Sequence, residues 1–111
     1  MESTSLSSIA DEELTAAGGA ASGRSARTIH GGHDRALRET VLALVSGQEL
    51  SEHESPGEAT LQVLRGRVRL ISGHDTWEGG VAEHVMIRDA RHSLVALEDA
   101  VVLLTVVKPL P

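Results

Sequence analysis

A chain of 111 residues with a formal charge of -6 holds one hydrophobic core rather than two. Ten Lys and Arg against sixteen Asp and Glu cannot grip a phosphate backbone, and one Trp with no Phe or Tyr gives no platform for stacked bases, so nucleic acid is excluded as a partner. The absence of Cys excludes disulfides, thiolate zinc sites and thiol catalysis, and no apolar run approaches the ~20 residues of a membrane span.

The core must be aliphatic, built from Val, Leu and Ile, two of which are β-branched strand formers. Met1 to Leu6 shows no basic region followed by an apolar stretch, so a cytoplasmic protein is expected.

From Ser3 to Ala21 the spacing of Leu6, Ile9, Ala10, Leu14 and Ala17 predicts one short helix, with Ser5 or Ser8 as its N-cap and Gly18-Gly19 weakening its far end. Its stripe is narrow and part Ala, so it must pack on something larger. Gly18 to Ala36 reads as a linker with a short edge strand at Arg27 to His30. Residues 1–36 thus precede a β-domain over 37–111.

Leu37 to Val45 is rich in aliphatic and β-branched residues. Thr60 to Leu64, Arg65-Gly66 and Arg67 to Ile71 read as a hairpin with one wet face, where Val68 and Leu70 alternate with arginines. Trp77, His84 to Ile87, His92 to Ala96 and Val101 to Val107 complete a series of short strands. Many short strands with Gly-rich turns predict an all-β barrel or sandwich, of which the jelly roll is one solution.

The stretch GQELSEHESPGEATLQVLRG, Gly47 to Gly66, resembles the first motif of the cupin family: Gly, five residues, His-x-His, a few residues, Glu, six residues, Gly. Gly47, His53 and Gly66 match it. GGVAEHVMIRDARHSL resembles the second motif, with His92 at its histidine. The resemblance implies a small single-domain cupin, a compact β-barrel of jelly-roll type that often pairs as a dimer. It also implies an inward-facing metal held by three His and one Glu.

This chain departs from that ligand set. Ser55 stands at the second His and Ala59 at the Glu; in the second motif Ile87 replaces Pro, Asp89 replaces Gly and Ala96 replaces Asn. Residues 53, 55, 59, 61 and 63 share strand parity, so Ala59 belongs with Leu61 and Val63 on an apolar face. His53 and His92 remain as candidate ligands, with Glu58 as a third if a bulge turns it inward.

A catalytic metal site needs about three protein ligands, which favours no cofactor over a divalent Zn, Ni or Fe ion. The pocket candidates are therefore His53, Ser55, His92, Ala59 and Leu61, around a small organic ligand. Two functions follow: a non-catalytic module for small-molecule binding or assembly, or a metal-dependent dioxygenase or isomerase using His53, His92 and a nearby carboxylate. The first is favoured.

The remaining histidines have simpler explanations. His30 and His33 flank the Gly31-Gly32 turn, and His74 lies in the turn from Ser72 to Asp75; the orientation of His84 stays open. Trp77 belongs to the core, and Arg65, Arg67 and Arg69 to a solvated strand face. Outward Leu42, Leu44 and Leu64 would need cover, so a homodimer is expected.

Overall fold

The computed structural model describes residues 1–54, 57–87 and 91–108, with the backbone alone at 53 and 54. One helix, α1 (Leu6–Gly19), precedes nine strands: β1 (Arg24–His30), β2 (Leu37–Leu44), β3 (Glu49–Glu54), β4 (Glu58–Arg65), β5 (Arg67–Ser72), β6 (Asp75–Gly80), β7 (His84–Ile87), β8 (Arg91–Ala96) and β9 (Ala100–Val107). They form two antiparallel sheets, a five-stranded one in the order β1-β2-β9-β4-β7 and a four-stranded one in the order β3-β8-β5-β6.

The five-stranded sheet carries a core on each side, the outer one over part of its extent. On the inner face Leu44, Ala59, Leu61, Val63, Ile87, Ala100 and Val102 meet Val68, Leu70, Leu94 and Ala96 of the four-stranded sheet. On the outer face Val41, Ala43, Val101 and Leu103 pack with Ala10 and Ala17 of α1. Small alanines let the helix approach closely, which is why its stripe needs no large residues.

Ser5 is the N-cap of α1, its hydroxyl accepting from Ser8 N at 3.2 Å. The helix is fastened to β1 by charge. Arg27 donates to Glu13 Oε2 from Nε and Nη2, at 3.0 and 2.8 Å, and to Glu12 Oε2 at 2.7 Å. Hydrogen bonds donated to Glu12 and then to Glu13 raise the pKa of the Arg27 guanidinium. Glu13 is buried, and Ser25 Oγ donates to its backbone carbonyl at 2.7 Å.

Three expectations change. The edge strand expected at Arg27 to His30 is present but longer, seven residues starting at Arg24 and paired with β2. β4 and β5 do not form a hairpin: β4 pairs with β7 and β9, β5 with β6 and β8, and the chain crosses between sheets at Gly66. The three leucines that called for a dimer are covered within the chain. Leu44 is 1% exposed, Leu42 packs on the inner core and Leu64 packs against the α1 cluster.

Gly66 has φ +70°, and a Cβ there would overlap the carbonyl oxygen of Asp99. The same corner is tied by Asp99 Oδ1 accepting from Ser46 N at 2.8 Å and by Leu97 N donating to Arg67 O at 2.9 Å. Gly47 also has positive φ, +87°, but open space where its Cβ would be. Gly66→Ala should therefore cost at least ~2 kcal/mol in denaturant unfolding, and Gly47→Ala about 1 kcal/mol, since only the first adds overlap to a left-handed backbone. Equal losses would contradict the close approach at Asp99.

Candidate functional site

The candidate residues gather where β3 meets β8. These strands pair in register at Glu49↔Val95 and Leu50↔Leu94, then shift, and resume at His53↔His92 and Glu54↔Arg91. Between the two registers β3 spends one residue more than β8, which is a β-bulge. The bulge changes the parity of β3, so that positions 50 and 53 both come opposite inner-face positions of β8. Without it, position 53 would fall out of phase with His92.

His92 is 5% exposed, one of two buried polar or charged residues among those described. Alternation along β8 sets it on the same face as Leu94 and Ala96, both in the inner core. An ion pair beside it, Arg91 Nε to Glu52 Oε1 at 2.9 Å, links β8 to the bulged segment of β3 across the exposed side.

On the opposite sheet Ala59 pairs with Ile87 on one side and Val106 on the other. Ala59 and Ile87 are each 4% exposed, and Leu61 and Val63 follow on the same face as core residues. The β4 ladder runs unbroken from Glu58 to Val63, its register shift coming only between Val63 and Arg65. Glu58 consequently takes the face opposite Ala59, and its side chain is exposed.

This arrangement does not fit the metal that the sequence motifs imply. The position of the carboxylate ligand carries a buried methyl group, and the neighbouring carboxylate has the wrong parity. Among the described residues no three His, Asp or Glu side chains converge on one point. Ser55 lies outside the described residues.

A cavity lies elsewhere. A groove of about 720 Å³ is lined by Gly57, Glu58, Ala59, Thr60, Met86, Ile87, Thr105 and Val107. Of these, 58, 60, 86, 105 and 107 have outer-face parity, so the groove belongs mainly to the outside of the five-stranded sheet. Of the pocket candidates Ala59 borders it, whereas Leu61 and His92 do not. A smaller gap of about 130 Å³ separates β6 from β7 and is lined by Trp77, Val85, Met86 and Ile87 among others.

Sequence reasoning missed Thr60, Met86 and Thr105 as a surface. Their signal was a single Thr interrupting the aliphatic run of β9 and a Met inside β7. Trp77 is half-buried, packed against the inner core with its ring over Gly79, so it both fills core and borders the gap. His33, His74 and His84 are exposed, and His30 is half-buried in register with Glu39.

Two antiparallel sheets packed face to face around an aliphatic core, with His92 turned into it, define an all-β domain of jelly-roll type. A conserved protein of unknown function from Streptococcus pyogenes is 32% identical, with 78% of this chain aligned over 75% of that one at a TM-score of 0.71. An RmlC-like cupin from Desulfovibrio desulfuricans superposes over 96% of both chains, TM-score 0.72, at 19% identity. A DMSP lyase from Ruegeria pomeroyi matches with TM-score 0.68 and 19% identity over 78% of this chain, which spans 48% of that enzyme.

The chain has the fold of a small cupin domain. No protein-family model matches it, and no curated protein matches it in sequence.

Restoring the lost ligands tests the placement of Ala59. Ser55→His with Ala59→Glu should lower stability without metal, because the new carboxylate would sit among Ile87, Leu61 and Val63 without a partner. With zinc at a hundred times its dissociation constant, the double variant should regain about 2.7 kcal/mol. The parent should unfold at the same temperature with zinc or with a chelator. A parent whose unfolding temperature rises strongly with zinc would show that a metal site exists without these substitutions.

Proposed function

We propose that this cupin domain is a non-catalytic, cytoplasmic module that binds a small organic ligand between its sheets, at the end marked by His92. The observation that supports this most directly is a buried imidazole on the inner face of one sheet and a buried methyl on the inner face of the other. Facing sheets offer His92 on one side and Ala59 with Ile87 on the other, a combination suited to a ligand with one hydrogen-bonding group and an apolar body. A neutral imidazole both donates and accepts, so it can meet an alcohol, an amide or an acid. His53, in register with His92, supplies a second nitrogen-bearing position on the neighbouring strand.

A metal-dependent dioxygenase or isomerase is the competing function. The His53↔His92 register is what speaks for it, two imidazole positions side by side being a common start of a metal site. The unbroken β4 ladder counts against it, because it leaves Glu58 on the far face.

Trp77 makes a direct test practical. It is the sole aromatic fluorophore in the chain and packs against the same inner core as Ile87. Small organic acids, alcohols and amides are titrated while Trp77 emission is recorded. At least one class should shift the emission saturably, and His92→Leu should weaken that binding about tenfold or more, the loss of one hydrogen bond to a polar ligand being worth about 1–2 kcal/mol. Saturable binding left unchanged by His92→Leu would place the ligand somewhere else.

A further inference from the structure

Arg38 is the one charged side chain of β2 with inner-face parity. The β2–β9 ladder runs without a register shift from Leu37↔Val107 to Leu44↔Ala100, so Arg38 falls on the face of Leu42 and Leu44, which pack in the inner core. It stands in one cross-sheet row with Val106, Ala59 and Ile87, the row that ends the inner face on the side of His92.

The half-buried Arg38 guanidinium is incompletely satisfied. Nη2 donates to Gly32 O at 3.0 Å, while Nε is buried from solvent and has no hydrogen-bond partner. A buried donor of a charged group without an acceptor is destabilising, which sets Arg38 apart from an ordinary surface arginine. Among the described residues the carboxylate ion pairs go to Arg27, Arg65, Arg69 and Arg91, and none goes to Arg38.

We propose that Arg38 is the anion-binding residue of the His92 site, and that the ligand is a small aliphatic carboxylate; this rests on the reading of that site as a ligand pocket. Chemistry divides along the row. On β1 and β2 the corner is polar, with Thr28 Oγ1 at 3.4 Å from Thr40 Oγ1 in the inner-face positions next to Arg38. From β9 onward Val106, Ala59 and Ile87 are aliphatic. The row from Arg38 to Ile87 covers three strand spacings, ~14 Å, along which a saturated chain held at Arg38 lies against apolar side chains. The planar guanidinium fork matches a carboxylate in shape as well as charge.

No neighbouring carboxylate takes that place among the described residues. Glu39 belongs to the outer face, where its Oε2 accepts from Thr105 Oγ1, and Glu58 is exposed on that face too. Glu52 pairs with Arg91. Asp34 in the β1–β2 turn is exposed, and Glu2 and Arg35 line one polar pocket beside it with opposite signs. Asp75 has inner-face parity with Trp77 but lies on β6, exposed at the gap beside β7 rather than near β2. Lys108, exposed after β9, adds positive charge at this end. The Glu54 side chain, Arg88 and Asp89 lie outside the described residues.

The test uses hexanoate and hexanamide, alike in shape and different in charge, added to the full 15N-labelled chain at constant ionic strength. Hexanoate should bind saturably and move the Arg38 Nε–H resonance, and hexanamide should bind about tenfold more weakly or worse. By Trp77 emission, Arg38→Gln should weaken hexanoate about tenfold or more and leave hexanamide within about twofold. The Nε–H resonance is read in the unaltered chain, so this arm stands whether or not Arg38→Gln folds. Hexanamide bound as tightly as hexanoate, with both weakened by His92→Leu, would retain the His92 site and overturn the role of Arg38. Hexanoate binding that needs Arg38 and not His92 would support the anion-binding role and overturn the His92 reading. An Nε–H resonance unmoved at saturating hexanoate, hexanoate affinity unchanged by Arg38→Gln, or no binding of either probe at millimolar concentration would overturn the proposal.

Discussion

β9 occupies the centre of the five-stranded sheet, and what covers its two faces governs the rest of the molecule. Its sequence, AVVLLTVV, carries almost no alternation because its first half is buried on both sides. Ala100 and Val102 face the four-stranded sheet, while Val101 and Leu103 face α1. Past α1, Leu104 and Val106 continue to pack inward and Thr105 and Val107 turn to solvent. Because side chains alternate strictly along a strand, this one register fixes the parity of β2 and β4 beside it, and through β4 that of β7.

The character of the site follows from that parity. With Leu61 and Val63 committed to the inner core, Ala59 must point the same way and Glu58 the opposite way. A bulge in β4 would free Glu58, but the bulge that exists near the site is in β3, where it re-phases position 53 against His92. One extra residue on one strand thus brings two imidazole positions into register, and its absence from another keeps a carboxylate away. The inner face ends as a mainly apolar wall, with a buried histidine on the inner face of the other sheet.

Much of this was legible in the residues. The aliphatic run of β9, the four residues of β7, the Ser5 cap and the shared parity of 59, 61 and 63 all came from local spacing. What escaped depended on partners distant in sequence. Only the Arg27 to His30 part of β1 was legible, because Gly, Ser and Ala dominate around it, and pairing with β2 carries the strand back to Arg24. β4 and β5 looked like a hairpin because apolar positions alternate in both. Yet one residue, Gly66, separates them, fewer than the two of the shortest common hairpin loop, and that count marks a crossing between sheets. Leu42, Leu44 and Leu64 could not be sorted into covered and uncovered without knowing where α1 and the opposite sheet lie. The β3 bulge left no sign in its sequence.

The central claim is that the described residues of the inner face do not bring together the ligand set of a metal centre. The most direct measurement is the metal content of the protein purified without chelators, expressed as metal per chain and repeated on His92→Ala. The account predicts iron, nickel and zinc far below one per chain, with no difference between parent and variant. One divalent ion per chain, retained through dialysis and lost in His92→Ala, would contradict it.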